Sequence, residues 1–169
     1  MDRRLIYTIL VLVAILVVSV LTGLIGGLID PDLTLDNVGL MRFVFMGIGL
    51  IIAFLIYLFT RNSGAWEVGT RQVVYMAIGA ALYAVFSYLF NGTVFVVPAV
   101  SQVTLRPAIA IPIFFGYAFG PTVGFFTGAV GNMFGDALTG FGLYPQWSVG
   151  NGLVGLISGL VALFADKKK

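Results

Sequence analysis

Cysteine and histidine are both absent from this chain of 169 residues. Their absence excludes disulfides, thiolate nucleophiles, Cys/His metal sites, imidazole ligation of a haem or chlorophyll, and any Ser/His/Asp triad. A Walker-type glycine loop ending in Lys is missing too, so the chain has no ATP-hydrolysing site of its own. Charge is also scarce, with Asp, Glu, Lys and Arg making up only 9% of residues. Apolar residues take their place: 60% of the chain is hydrophobic and the mean hydropathy is +1.07. Such a composition describes an integral membrane protein made of little besides its spans. No length is left for a soluble catalytic domain. The chain therefore reads as a non-enzyme with no metal and no cofactor, acting inside the bilayer or with partner subunits. Its formal charge of +2 sits at span ends, where it reports orientation rather than nucleic-acid binding.

A spanning helix needs about 20 mostly apolar residues. Six stretches meet that need, at roughly Leu5–Ile29, Val38–Phe59, Val73–Phe90, Val103–Phe119, Pro121–Leu138 and Val149–Ala165. The first has no clear small-residue cleavage site in its flank and reads as a retained helix rather than a signal peptide. Asp30-Pro31-Asp32 closes it, and the polar turn Thr60-Arg61-Asn62-Ser63-Gly64 closes the second. The stretch 91–105 has a β-like composition, and Pro121 is a good first-turn residue for the fifth span. Arg3, Arg4, Arg61, Arg71, Lys167, Lys168 and Lys169 fall on one side of these spans, and Arg42 and Arg106 on the other. The positive-inside rule then places both termini in the cytoplasm, as an even number of spans requires. The expected fold is an all-α integral membrane protein with six transmembrane helices and both termini cytoplasmic.

Small residues recur at helical spacing. Gly120, Gly124 and Gly128 form a stripe, preceded by Gly116 beyond Pro121, and Gly155 and Gly159 repeat the interval in the last span. Residues four apart share a helix face, and small ones let a neighbouring backbone approach closely. These glycines are expected to pack helices. In the third span Ala77 with Ala81, or alternatively Ala80 with Ala84, offers the same device for internal packing or for docking another subunit.

Polar side chains gather at one depth, toward the outer side. Gln102, Thr104 and Arg106 enter the fourth span, Asn132 and Asp136 leave the fifth, and Tyr144, Gln146, Trp147 and Asn151 surround the start of the sixth. Asn132 and Asp136 are four apart and share a face. Ionisable groups in or near hydrocarbon find partners, so an Arg106–Asp136 pair is expected. Aromatic walls with a few converging polar groups line small-molecule pockets, although Tyr144 and Trp147 also suit an interfacial belt. The candidate ligand-binding set is Gln102, Arg106, Asn132, Asp136, Tyr144, Trp147 and Asn151. Arg offers planar, multi-donor recognition and Trp a flat apolar face, a combination suited to an anionic or polar ligand containing a ring. Asp30, Asp32 and Asp36 lack the spacing of a calcium loop and read as a solvated segment.

The order of motifs from about Thr70 to Phe164 resembles the substrate-binding S component of energy-coupling factor (ECF) vitamin transporters, closest to the riboflavin-type and related members. The matching pieces are Ile78-Gly79-Ala80-Ala81-Leu82, Leu105-Arg106-Pro107-Ala108, Phe119-Gly120-Pro121, Val123-Gly124-Phe125, Gly131-Asn132 with Asp136, Trp147-Ser148 and Gly155-Leu156-Ile157. The resemblance implies a membrane protein that captures a vitamin or similar small molecule from outside. It also implies a transmembrane coupling subunit and cytoplasmic ATPases as partners, in the plasma membrane of a prokaryote. In that family an Ala-x-x-x-Ala pattern docks to the coupling subunit, and Ala77/Ala81 or Ala80/Ala84 stands in its place. Residues 66–169 are then expected to form a four-helix S-component-like domain, and residues 1–65 a leading hairpin. That hairpin has the orientation required of the last two helices of the family. The alternative reading is a non-transporting accessory subunit of a larger respiratory or photosynthetic complex, built on the same scaffold.

Overall fold

A hydrocarbon environment offers the backbone no hydrogen-bonding partner, so a spanning chain must satisfy its peptide groups within its own helices. The computed structural model describes residues 37–91, 106–140 and 144–165, together with positions 6, 9, 10, 13, 14 and 17, which are helical. Among the described residues there is no strand. The rest of the expected first span, Asp30, Asp32 and Asp36, the stretch 92–105 with Gln102 and Thr104, and the terminal lysines lie outside the described residues. The elements are α1 (Asn37–Thr60), α2 (Thr70–Asn91), α3 (Ala110–Phe119), α4 (Pro121–Thr139), α5 (Pro145–Gly159) and the short α6 (Ala162–Ala165). Met41–Thr60, Thr70–Phe90 and Pro145–Phe164 are long and apolar enough to cross a membrane, and Pro107–Phe119 is a shorter apolar helix.

Local chemistry sets the helix ends. Thr60 ends α1 by donating its hydroxyl to the Ile56 carbonyl at 2.6 Å and accepting from the Trp66 indole N–H at 2.9 Å. The Trp66 ring meets Tyr57 edge-on, with centroids 5.2 Å apart, so the α1–α2 turn is folded back on its own helix. The Gln72 side chain accepts from the Gly69 N–H at 3.0 Å ahead of α2. Between α3 and α4 the chain turns at Gly120, whose φ of 102° lies where side chains with a Cβ are strained; Pro121 then opens α4. Gly140 ends α4 in the left-handed region, a common way to stop a helix.

Several boundaries differ from those read in the sequence: α2 starts at Thr70 rather than Val73, and α5 ends at Gly159 rather than Ala165. The fourth element is helical from Pro107, first as a 3-10 turn to Ile109 and then as α3. The last helix begins at Pro145 rather than Val149, with Tyr144 as its N-cap. Gln146, Trp147 and Ser148 suggested a loop because they are polar or bulky. Pro145 fits the first helical position, where its missing N–H costs nothing, and so the polar residues enter the helix.

The centre of the bundle is α4, whose 19 residues at about 1.5 Å each reach about 28 Å, close to the ~30 Å hydrocarbon thickness. Most of α4 is buried, including its glycines, Thr122, Thr127, Asn132 and Asp136. Its hydropathy is low because it faces protein rather than lipid. Small residues on two of its faces set the spacing to its neighbours. A Cβ on Gly124 would run into the Gly155 carbonyl, one on Gly128 into the Asn151 carbonyl, and one on Gly159 into the backbone of Pro121. On another face, a Cβ on Gly131 would lie 2.9 Å from the Ala80 carbonyl, and one on Gly135 would lie 2.7 Å from Cβ of Ser87. Gly124 and Gly128 therefore serve α5, and Gly131 with Gly135 serves α2, a second stripe that the sequence reading passed over. Lipid supplies no hydrophobic drive between helices, so this close approach is the main source of their attraction.

Large side chains complete the packing. Met46, Leu50 and Tyr57 of α1 share a core with Phe125 and Ala129 of α4 and Val149 and Leu156 of α5. On the opposite flank Met76, Phe115 and Val123 join α2, α3 and α4, and Tyr75 stacks on Phe119 at 4.1 Å. Outward faces are apolar as well, as at Phe45, Ile51 and Phe59.

Candidate functional site

Hydrophilic side chains converge at the end of the bundle where α3 begins, α4 ends and α5 begins. Asn132 lies at the centre and is 1% exposed. Its side-chain N–H group donates to Asp136 Oδ2 at 2.7 Å and to Ser148 Oγ at 3.2 Å. Its carbonyl oxygen accepts from Asn151 Nδ2 at 2.6 Å. Ser148 in turn donates to the Tyr144 carbonyl at 3.4 Å. The interval of four between Asn132 and Asp136 puts both on the face of α4 that meets α5. Tyr144, Ser148 and Asn151 present the matching face of α5 because their spacing of four and three follows the helical repeat.

Arg106 stands just before the 3-10 turn, and its Nη1 is 4.0 Å from Asp136 Oδ1; the Arg side chain is 40% exposed and that of Asp136 4%. The pair is thus long and one-sided, with a buried carboxylate under a guanidinium open to its surroundings. Tyr83 of α2 is buried on the other flank, against Gly131, the neighbour of Asn132. Asp136 therefore receives an N–H from Asn132 and the field of Arg106, as a buried charge requires. Gln146 Oε1 is buried at the same end with no hydrogen-bond partner among the described residues. Arg42 of α1 places its Cζ 4.5 Å from the centroid of the Tyr144 ring, a cation–π contact.

Of the residues picked from sequence, Arg106, Asn132, Asp136, Tyr144 and Asn151 come together here, and Gln102 lies outside the described residues. Trp147 does not join them: it is 62% exposed. With α5 starting at Pro145, Trp147 sits about 100° round the helix from Ser148, which turns it outward. Three participants had not been singled out as site residues. Ser148 becomes legible once Tyr144, Ser148 and Asn151 are read as one helical face. Tyr83 and Arg42 carry no local signal, because only tertiary packing brings α2 and α1 to this end.

The alanine pairs also separate. Ala80 and Ala84 are buried against α4, whereas Ala77 and Ala81 are exposed. Both pairs line an apolar groove of about 730 Å³ between α2 and α4, with Val73, Val85, Phe126 and Phe134. A second apolar groove, of about 800 Å³, runs between α3 and α5 past Ile113, Tyr117, Ile157 and Val161. Neither groove is lined by a residue of the Asn132-centred network. On a membrane bundle such surfaces meet lipid or other subunits. Among the described residues the polar end holds no hydroxyl hydrogen-bonded to a carboxylate or amine base. Its buried groups hydrogen-bond one another, and the half-exposed Arg106 guanidinium stands beside them.

Comparison with known proteins gives the following matches. The family model for the ECF-type riboflavin transporter S component matches residues 67–169, so the resemblance read from the motifs is borne out over nearly the same stretch. A UPF0397 protein of Vibrio atlanticus is 37% identical over 98 residues, 58% of this chain and 52% of that protein. One from Aliivibrio salmonicida is 35% identical over 102 residues, 60% of this chain and 54% of that protein. One from Vibrio vulnificus is 40% identical over 94 residues, 56% of this chain and 50% of that protein. The chain spans about half the length of the curated relatives it matches. No solved structure matches it.

Proposed function

The chain belongs to the ECF-type riboflavin transporter S-component family, and from that premise we propose that it is a membrane-embedded substrate-binding subunit that captures a vitamin-like small molecule. The observation that carries this reading is the buried Asn132-centred network inside the family-matched segment, with the half-open Arg106 beside it. Six spans with both termini in the cytoplasm of a bacterial plasma membrane place that network at the outer face. The ligand enters there and contacts Arg106, Asn132, Asp136, Tyr144 and Asn151, with Gln102 from the preceding stretch. Residues 66–169 act as the S-component-like domain and residues 1–65 as an accompanying hairpin. Transport is powered on other chains: a transmembrane coupling subunit docks over Ala77 and Ala81, and cytoplasmic ATPases drive it. Nothing in the family match favours the accessory-subunit alternative.

The test is direct. The full chain in lipid nanodiscs is titrated with riboflavin and a panel of other water-soluble vitamins, following quenching of flavin or protein fluorescence. Binding at micromolar concentration or tighter is expected, weakened at least about tenfold, or about 1.4 kcal/mol, in Arg106→Ala. Failure to bind any vitamin at that concentration, with no coupling subunit or ATPase in native pulldowns, would remove the reading.

A further inference from the structure

The helix that precedes the family-matched segment reaches into the polar site. α1 descends alongside α5, with Gly49 against Val149 and Leu50 in the core shared with Leu156. Near the start of α1, Arg42 sits over the Tyr144 ring, 4.5 Å from its centroid. A cation–π contact stabilises the charge but gives none of its five N–H donors an oxygen acceptor. Asp136 is already engaged, by Arg106 at 4.0 Å and by Asn132 at 2.7 Å. Among the described residues this end of the bundle therefore holds two guanidinium groups and one occupied carboxylate. Arg106 has its counter-charge within the protein. Among the described residues Arg42 has a ring that holds it and no oxygen acceptor for its donors.

We infer that Arg42 is a ligand-selecting residue that α1 contributes to the site, receiving an anionic oxygen group, a phosphate or carboxylate, of the captured molecule. The inference rests on the binding-subunit reading above and narrows its ligand class to organic anions. Contact with the Tyr144 ring holds the guanidinium in place, and its planar fork of donors matches a carboxylate or phosphate edge. The same chemistry would serve a lipid headgroup phosphate, so the test separates the two sources.

The full chain is reconstituted in phosphatidylcholine nanodiscs with and without phosphatidylglycerol. Riboflavin and riboflavin 5′-phosphate share one ring system and differ in charge. The phosphate form is expected to bind at least about tenfold tighter, with Arg42→Gln reducing the ratio to within about threefold and Arg42→Lys keeping part of it. Inorganic phosphate is expected to raise the melting temperature above a chloride control of equal ionic strength, in wild type and Arg42→Lys but not in Arg42→Gln. Equal binding of the two flavins with no phosphate effect overturns the inference, as does a preference that survives in Arg42→Gln. Stabilisation that follows phosphatidylglycerol rather than free phosphate assigns Arg42 to lipid and overturns it too. Vitamin binding without anion preference would sink this inference and leave the binding-subunit reading standing. An Arg42-dependent phosphate effect with no vitamin bound would do the opposite.

Discussion

Replacing Asn132 with Leu removes the hub of the polar network while keeping a side chain of comparable reach. Three hydrogen bonds disappear: to Asp136 at 2.7 Å, to Ser148 at 3.2 Å and from Asn151 at 2.6 Å. The first goes to a carboxylate, a class worth about 1.5–3 kcal/mol. The other two cross between α4 and α5, and such bonds inside membrane proteins average about 0.6 kcal/mol each. Their sum is about 3–4 kcal/mol. Leu recovers some of this by apolar packing, so the net destabilisation should be about 2–3 kcal/mol, larger than the typical point substitution. The assay is reversible unfolding of the full chain in mixed micelles, followed by circular dichroism. A double-mutant cycle of Asn132→Ala with Asn151→Ala should give a coupling near about 0.6 and no more than about 1.7 kcal/mol. Trp147→Ala, at an outward-facing position, serves as the control and should stay within about 0.5 kcal/mol of wild type. Should Asn132→Leu prove as stable as that control, the network is not what joins α4 to α5 at this end, and the reasoning fails.

Gly155→Ala would push a Cβ into the Gly124 carbonyl and should cost about 1–3 kcal/mol by forcing α4 and α5 apart; Gly150→Ala, which meets open space, should be nearly silent in the same unfolding assay, and equal effects would refute the packing argument. Ala80→Leu should destabilise the isolated chain because Ala80 is buried against Gly131. Ala77→Leu should leave its melting temperature alone yet reduce copurification of a coupling subunit, and undiminished copurification would detach the exposed alanine face from docking. Trp66→Phe keeps a ring against Tyr57 but loses the hydrogen bond to Thr60. A loss of about 0.5–1.5 kcal/mol is expected, and no loss at all would show that the α1–α2 turn does not depend on it.

Much of this architecture was readable in advance, and the reasons differ by element. Helices α1 and α2 announce themselves because their outward faces must be apolar. α4 was read as a fifth apolar stretch starting at Pro121, but it is not among the helices long and apolar enough to cross a membrane; most of it is buried in the bundle. Its Asn132 and Asp136 stood out because polar groups at such a depth need partners, and the partners were drawn from the right neighbourhood. The start of α5 was misplaced because Gln146 and Ser148 look like loop residues in one dimension, and that displacement is what made Trp147 seem to face inward. The spacing rule could not rank Ala77/Ala81 against Ala80/Ala84, since both pairs obey it; tertiary structure buries the second pair and leaves the first exposed. Gly131 and Gly135 also obey the rule, but Asn132 and Asp136 beside them drew attention to a different property of the same helix.

From its residues alone this chain reads as a helical membrane protein without thiolate chemistry, Cys/His metal sites or a Ser/His/Asp triad, because it has neither cysteine nor histidine and its long apolar runs suit spanning helices. Which polar groups meet was decided by tertiary structure. The glycines of α4 and α5 bring the two backbones close enough for Asn132 to bond Ser148 and Asn151, and α1 lies beside α5 so that Arg42 reaches Tyr144. Periodicity names the face of a helix, but only packing names the neighbour that face will meet.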